Sequence, residues 1–103
     1  MNLCPPPEAL LVTVEPELLD LAEDFLVRLK AELVVLRAPD VPAARVRLFA
    51  HRVKGTGAMF GFRWLSRVAA HIEEQLDAGL PLEADLWWIL EDYTTAVRIR
   101  PLA

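Results

Sequence analysis

Apolar residues recur every three or four positions in four stretches of the chain, and proline, glycine and aspartate interrupt the pattern between them. That period gathers apolar side chains onto one stripe of a helix. In the first stretch the stripe is Leu18, Ala22, Phe25, Leu29, Glu32 or Leu33, and Leu36. Pro16 suits a first helical position, where its missing N–H costs nothing, and "APD" at 38–40 ends the run. A second helix is predicted from about Pro42, with Val46, Ala50, Val53 and Gly57 on its stripe. A third runs from about Phe62 to Ala78 on Leu65, Ala69, Ile72 and Leu76, and Gly79 with Pro81 stops it. A fourth, from about Glu83 to Arg98, carries Leu86, Leu90, Tyr93 and Val97.

No segment shows the sustained alternation of a strand. Four amphipathic helices with connections of about four to six residues predict an all-α protein, an antiparallel up-and-down four-helix bundle. Residues 1–15 form a leader expected to pack on the bundle, and residues 16–103 the bundle itself. Within the leader, "PPP" at 5–7 favours extended backbone. "ALLVTV" at 9–14 reads as a short apolar strap or a short helix.

Composition narrows the function classes. A chain of 103 residues, 54% hydrophobic and 25% charged, is one globular domain with one core. Its net charge of −4 argues against a nucleic-acid partner, which selects for a basic stripe. No apolar run approaches the ~20 residues of a membrane span, and the N-terminus lacks a basic signal-peptide region. A single cysteine, Cys4, permits no internal disulfide and points to a reducing, cytoplasmic setting. Cys4 has neither the company of a nucleophile nor that of a ligand set and is read as incidental. No metal site is expected, because His51 and His71 have no obvious third ligand.

The candidate chemistry lies in "AHRVKGTGAMFGFRWL", residues 50–65. At about 100° per residue, His51 falls about 120° from the centre of its helix's apolar stripe, with Lys54 between them. Gly55 and then Ala58 follow His51 along the same flank. Each glycine inside a helix costs about 1 kcal/mol relative to alanine. Gly57 lies on the apolar stripe, where close packing explains it, and Gly61 marks the turn to the third helix. Gly55 has no such explanation, and its use is to clear the surface beside the His51 ring. On the third helix Glu73 lies about 80° from the apolar stripe. If the second and third helices pack antiparallel, its carboxylate reaches that ring; Glu74 is the competitor, and His71 points elsewhere.

This set suits phosphoryl transfer through nitrogen. Neutral imidazole is a nucleophile near neutral pH, and a carboxylate on the Nδ1 proton would fix the tautomer and leave Nε2 free. Lys54 would neutralise a phosphoryl group on His51 as a point charge. Such transfer depends mainly on positioning and charge stabilisation.

These residues resemble the histidine-containing phosphotransfer (HPt) domain family. The family's pattern is similar to His-x-x-Lys-Gly, then a small residue, Gly at ten, Leu at fourteen and Glu at twenty-two after the His; here these are His51, Lys54, Gly55, Gly57, Gly61, Leu65 and Glu73. "FGF" at 60–62 and "VEPELLDLAEDFLVRLKAEL" in the first helix add to the likeness, which spans roughly residues 14–98. The resemblance implies a four-helix bundle on which His51 is phosphorylated and exchanges its phosphoryl group with the aspartate of response-regulator receiver domains. It implies Mg²⁺ supplied by the receiver and no cofactor of the chain's own. The partners it implies are receivers and a hybrid histidine kinase. The resemblance implies a phosphocarrier in two-component signalling, and with no ATP-binding module the chain is not expected to be a complete kinase. Chemotaxis-type members carry a second histidine nineteen residues after the first; Ala70 stands there, and His71 is one residue late.

Gly55, Ala58, Arg52, Arg63 and Arg67 are the candidate docking residues around His51. For Arg63 and Arg67 an ordinary solvated face is the competing reading. The alternative function is a non-phosphorylated adaptor that binds and inhibits a receiver or kinase through the same face, against which the intact His51, Lys54 and Glu73 count. The adjacent Trp87 and Trp88 cannot both be buried by one helix face, so one is expected under the leader and the other exposed. The initial Met and the leader suggest an independent protein, and a monomer is expected.

Overall fold

The four apolar stripes become four helices: α1 (Leu19–Leu36), α2 (Ala43–Phe60), α3 (Arg63–Asp77) and α4 (Leu86–Ala96). They are seen in a computed structural model that describes residues 3–103. Nearly every stripe position is buried: Ala22, Leu29, Leu33 and Leu36 on α1, Val46, Ala50, Val53 and Gly57 on α2, Leu65, Ala69 and Ile72 on α3, Leu86, Leu90 and Tyr93 on α4. Leu18, Phe25 and Leu76 are half-buried. Phe49, Phe60, Phe62, Trp64 and Val68 join them from positions beside the stripes. The buried sector is therefore wider than a single 3–4 seam, as a helix with a broad apolar face requires.

Helix ends depart from the sequence reading where local hydrogen bonding overrides periodicity. Pro16–Leu18 closes as a 3₁₀ turn, with Leu18 N–H donating to Glu15 C=O at 2.8 Å, so α1 begins later than Pro16 suggests. The fourth helix is shorter at both ends than predicted, and the chain leaves it at Val97 in extended backbone. The α2–α3 turn is set by Gly61, whose φ of +88° few side chains tolerate. There Gly61 N–H bonds to Ala58 C=O at 3.2 Å and Phe62 N–H to Gly57 C=O at 2.8 Å, satisfying the last carbonyls of α2.

The expectation of an all-α chain without strands is corrected at its two ends. Leu11–Val14 (β1) pairs in parallel with Arg98–Pro101 (β2), in the register Leu11 to Arg98 and Val12 to Ile99. Leu102 N–H extends the pairing to Val14 C=O at 2.7 Å. "ALLVTV" is thus a 3₁₀ turn (Pro7–Leu10) running into a strand, and not a helix. Val12 and Val14 point inward while Leu11 and Thr13 face out. Four residues are too few for that alternation to stand out from an apolar run, and the partner strand lies at the far end of the sequence.

The leader is tied to α4 by Tyr93, whose hydroxyl donates to Ala9 C=O at 3.2 Å and whose ring lies 4.5 Å from that of Trp64. Trp87 meets Phe49 of α2 edge-on, and Trp88 is 66% exposed. At the surface Arg37, which caps α1, pairs with Glu91 of α4 at 3.0 Å, and Glu32 of α1 with Arg52 of α2. Among the described residues no helix is long and apolar enough to cross a membrane.

Candidate functional site

Helix α2 turns Ala50 and Val53 into the core, which leaves His51 on the outside with its side chain 64% exposed. Successive contacts with α3 follow in opposite chain directions. Arg47 pairs with Asp77 at 2.7 Å, His51 Nδ1 lies 3.3 Å from Glu73 Oε2, and Ser66 Oγ donates to the Lys54 carbonyl at 2.7 Å. The two helices are therefore antiparallel here, and the register brings the α3 carboxylate up beneath the imidazole ring.

Among the described residues Glu73 is the one buried charged residue, and its two oxygens are divided. Oε2 faces His51, and Oε1 holds the Lys54 ammonium at 2.7 Å. The Lys54 contact is the largest cause that holds the Glu73 carboxyl below its ordinary value. Partial burial pushes the other way, and His51 adds to the lowering. A carboxylate that stays ionised accepts hydrogen bonds and donates none, so the Nδ1 of neutral His51 carries the proton and Nε2 bears the lone pair. At 3.3 Å this bond is long for a charge-assisted one. It orients the ring loosely while the tight Lys54 contact fixes the carboxylate.

Gly55 lies one turn beyond His51, and a Cβ built there meets nothing within 4 Å. The imidazole therefore stands beside bare backbone. Gly57 faces α3, where a Cβ would touch Phe62 O at 3.6 Å and Ser66 N at 3.7 Å, ordinary van der Waals contacts that leave room for a methyl group and little more.

A family model described as the Hpt domain matches residues 14–99, from the end of β1 through all four helices into β2. The chain belongs to the Hpt domain family. Its role is accordingly phosphotransfer in two-component phosphorelay signalling. No curated protein and no solved structure is significantly similar to it.

Within this Hpt domain the residues singled out from the sequence fall into two groups. His51, Lys54 and Glu73 are in mutual contact through the carboxylate. Ala58, Arg63 and Arg67 line a shallow cleft of about 650 Å³ between α2 and α3, together with Lys54, Gly61, Ser66 and Ala70. Arg52 is apart from these. It pairs with Glu32 and lines a second groove of about 380 Å³ between α1 and α2, where Leu21, Phe25 and Met59 are the main apolar side chains. His51 and Gly55 form the ridge between cleft and groove.

His71 points away from this ridge, as its helical angle requires. Its Nε2 lies 2.5 Å from Glu83 Oε1, and Gln75 donates to the same oxygen at 2.9 Å. Burial disfavours ionisation of Glu83, but the His71 contact, the backbone at Glu83 and Gln75 outweigh it, and the carboxyl lies below its ordinary value. This cluster fastens the α3–α4 connection to α3. Glu74 is exposed. Among the described residues no cluster of three or more histidine, cysteine or acidic side chains is arranged to hold a metal ion.

Two features of the site escape residue-by-residue reading of the sequence. Ser66 clamps α3 to α2 at the Lys54 carbonyl, and Arg47 with Asp77 brackets the site one turn away. The signal for them is periodic. Ser66 precedes Glu73 by seven, Asp77 follows Glu73 by four, and Arg47 precedes His51 by four, so each shares a face with a site residue.

Proposed function

We propose that His51 is the phospho-accepting residue of this Hpt domain, and that it exchanges its phosphoryl group with the aspartate of response-regulator receiver domains. The observation that carries the reading is an exposed imidazole whose Nδ1 is held by a buried, ionised Glu73. In the forward step the Nε2 lone pair attacks phosphorus in line with the aspartyl oxygen. The N–P bond forms as the O–P bond breaks, and the receiver's aspartate leaves as a carboxylate. The Nδ1 proton stays on the ring, where the hydrogen bond to Glu73 stabilises the positive charge that develops as Nε2 gives up its lone pair. Lys54, in ion-pair contact with Glu73 before transfer, supplies the cation that the incoming phosphoryl oxygens require.

The acidic site and its Mg²⁺ are the receiver's, and this chain contributes no cofactor. It is a phosphocarrier without an ATP site, filled by a hybrid histidine kinase through that kinase's receiver and acting in the cytoplasm as a monomer. The scaffold in this reading is an antiparallel up-and-down bundle. The pairs Glu32–Arg52, His51–Glu73 and Arg37–Glu91, which link α1 to α2, α2 to α3 and the end of α1 to α4, support it.

Incubation with a phosphorylated receiver tests the proposal. The expected product is an acid-labile, base-stable label on the chain that His51→Gln abolishes. A label that persists in His51→Gln would overturn it. Receiver binding that is unchanged in His51→Ala, with no transfer by the wild type, would favour the adaptor instead.

A further inference from the structure

The two depressions flanking His51 differ in charge. The α1–α2 groove carries Asp24 and Glu32 against Arg28 and Arg52, with Arg52 and Glu32 already paired, so its charges balance. The α2–α3 cleft carries Lys54, Arg63 and Arg67 and no acidic side chain. Lys54 has its counter-ion in Glu73. Among the described residues the Arg63 and Arg67 side chains have no hydrogen-bond or ion-pair partner, whereas Arg37, Arg47 and Arg52 each have a carboxylate partner. The remaining lining residues, Ala58, Gly61, Ser66 and Ala70, are small and leave the cleft open. A chain with a net charge of −4 thus presents two uncompensated guanidinium groups one helical turn apart, on one side of its phosphoryl-accepting ring.

We infer that Arg63 and Arg67 are specificity-determining residues, engaging acidic side chains that flank the acceptor aspartate of the receiver and so selecting among receivers by the charge of that face. The inference rests on the phosphocarrier reading for the identity of the partner. Its physical basis is independent of the chemistry. Like charges repel this acidic chain from an acidic partner at long range, and of the two depressions beside His51 the α2–α3 cleft offers the opposite sign. A receiver with carboxylates on the matching side is therefore steered and oriented over His51, and one with basic residues there is rejected. Guanidinium groups suit this role because they pair with carboxylates in a bidentate fork and shed their hydration readily. Arg52, neutralised by Glu32, does not contribute to the selection.

The test uses the full chain and a panel of purified receiver domains graded by the number of acidic residues around their acceptor aspartate. Binding is measured by calorimetry at low and high ionic strength, and phosphoryl transfer is measured separately. In the Arg63→Glu/Arg67→Glu variant, affinity for the acidic receivers is expected to fall about tenfold or more at low salt, with little change for receivers lacking the acidic flank. A receiver whose flanking acids are changed to lysine should regain affinity for this variant. Both side chains are exposed, and glutamate is favourable at position 63 in the first turn of α3, so the variant is expected to keep the wild-type circular dichroism. An equal loss across the whole panel, or no loss at all, would overturn the inference even if His51 is phosphorylated. Charge-selective binding with no label on His51 would support the inference and remove the phosphocarrier reading instead.

Discussion

Glu73 Oε2 lies 3.3 Å from His51 Nδ1 while the same carboxylate holds Lys54 at 2.7 Å through its other oxygen. One buried group therefore sets both the tautomer of the His51 ring and the resting place of the Lys54 ammonium. Glu73→Gln keeps the shape and removes the charge. The Lys54 ammonium then loses its counter-ion, and His51 loses the ionised acceptor that favours a proton on Nδ1. Transfer is expected to slow about five- to tenfold, the worth of one hydrogen bond of ordinary strength. Nitrogen NMR shifts of the His51 ring should move toward a mixture of tautomers. An unchanged tautomer ratio would separate Glu73 from any orienting role.

Gly55 should show stability and function moving in opposite directions. Its Cβ position is empty space, so Gly55→Ala introduces no clash and gains about 1 kcal/mol of helix propensity. A higher melting temperature is the expected result. Gly55→Leu should also fold well, yet its side chain projects beside the His51 ring, where the partner must approach. Transfer from a phosphorylated receiver is expected to drop at least tenfold, as a clash in a close-packed contact requires. Full activity in a folded Gly55→Leu protein would show that the bare surface serves no docking purpose.

The parts of this molecule that were legible in its sequence are those governed by the helical period. The stripes on α2 and α4 are buried as read, and the same angles place His51 outside, Glu73 at the α3 boundary and His71 away from both. The strand pair was not legible, because β1 and β2 are each four residues long and pair across almost the whole chain. The identity of the aromatic beneath the leader was also hidden. Periodicity places Tyr93 in the core, but only tertiary packing brings Ala9 C=O to its hydroxyl and leaves Trp87 on Phe49. Which of the arginines carry carboxylate partners is equally a matter of interhelical register. That difference separates Arg52, paired with Glu32, from Arg63 and Arg67.

Acid should loosen the site, and neutral pH should leave it intact. Lys54 holds the Glu73 carboxyl below its ordinary value of 4.5, and the His71 contact, with its neighbours, overcomes burial to lower Glu83 in the same way. For a carboxyl whose pKa is depressed by folding, the stabilisation is complete above the unfolded value and is lost as pH falls through the folded one. Melting temperature is therefore expected to hold until the pH approaches 4.5 and to decline below it. Glu73→Gln should be less stable than the wild type above that point and should show a shallower decline beneath it. An identical acid profile for wild type and Glu73→Gln would mean that the ion pair with Lys54 contributes nothing to the fold.

At the other end of the scale Tyr93 provides a single-residue probe, because it is the chain's only tyrosine. Burial pushes its phenol from 10.0 up to about 12. Folding therefore favours the neutral form. The associated stability is present in full below pH 10.0 and disappears as pH rises toward about 12. The phenolate absorbance of the folded protein should rise with a midpoint near 12, and that of the chain in denaturant near 10.0. Tyr93→Phe keeps the ring against Trp64 but deletes the hydrogen bond to Ala9, so it should erase the alkaline dependence while faster amide exchange appears across β1 and β2. If the folded protein's tyrosine titrates at 10.0, Tyr93 is open to water and the leader does not cover it. The strand pair would then be no more than a local pairing of the chain ends, without a hold on the core.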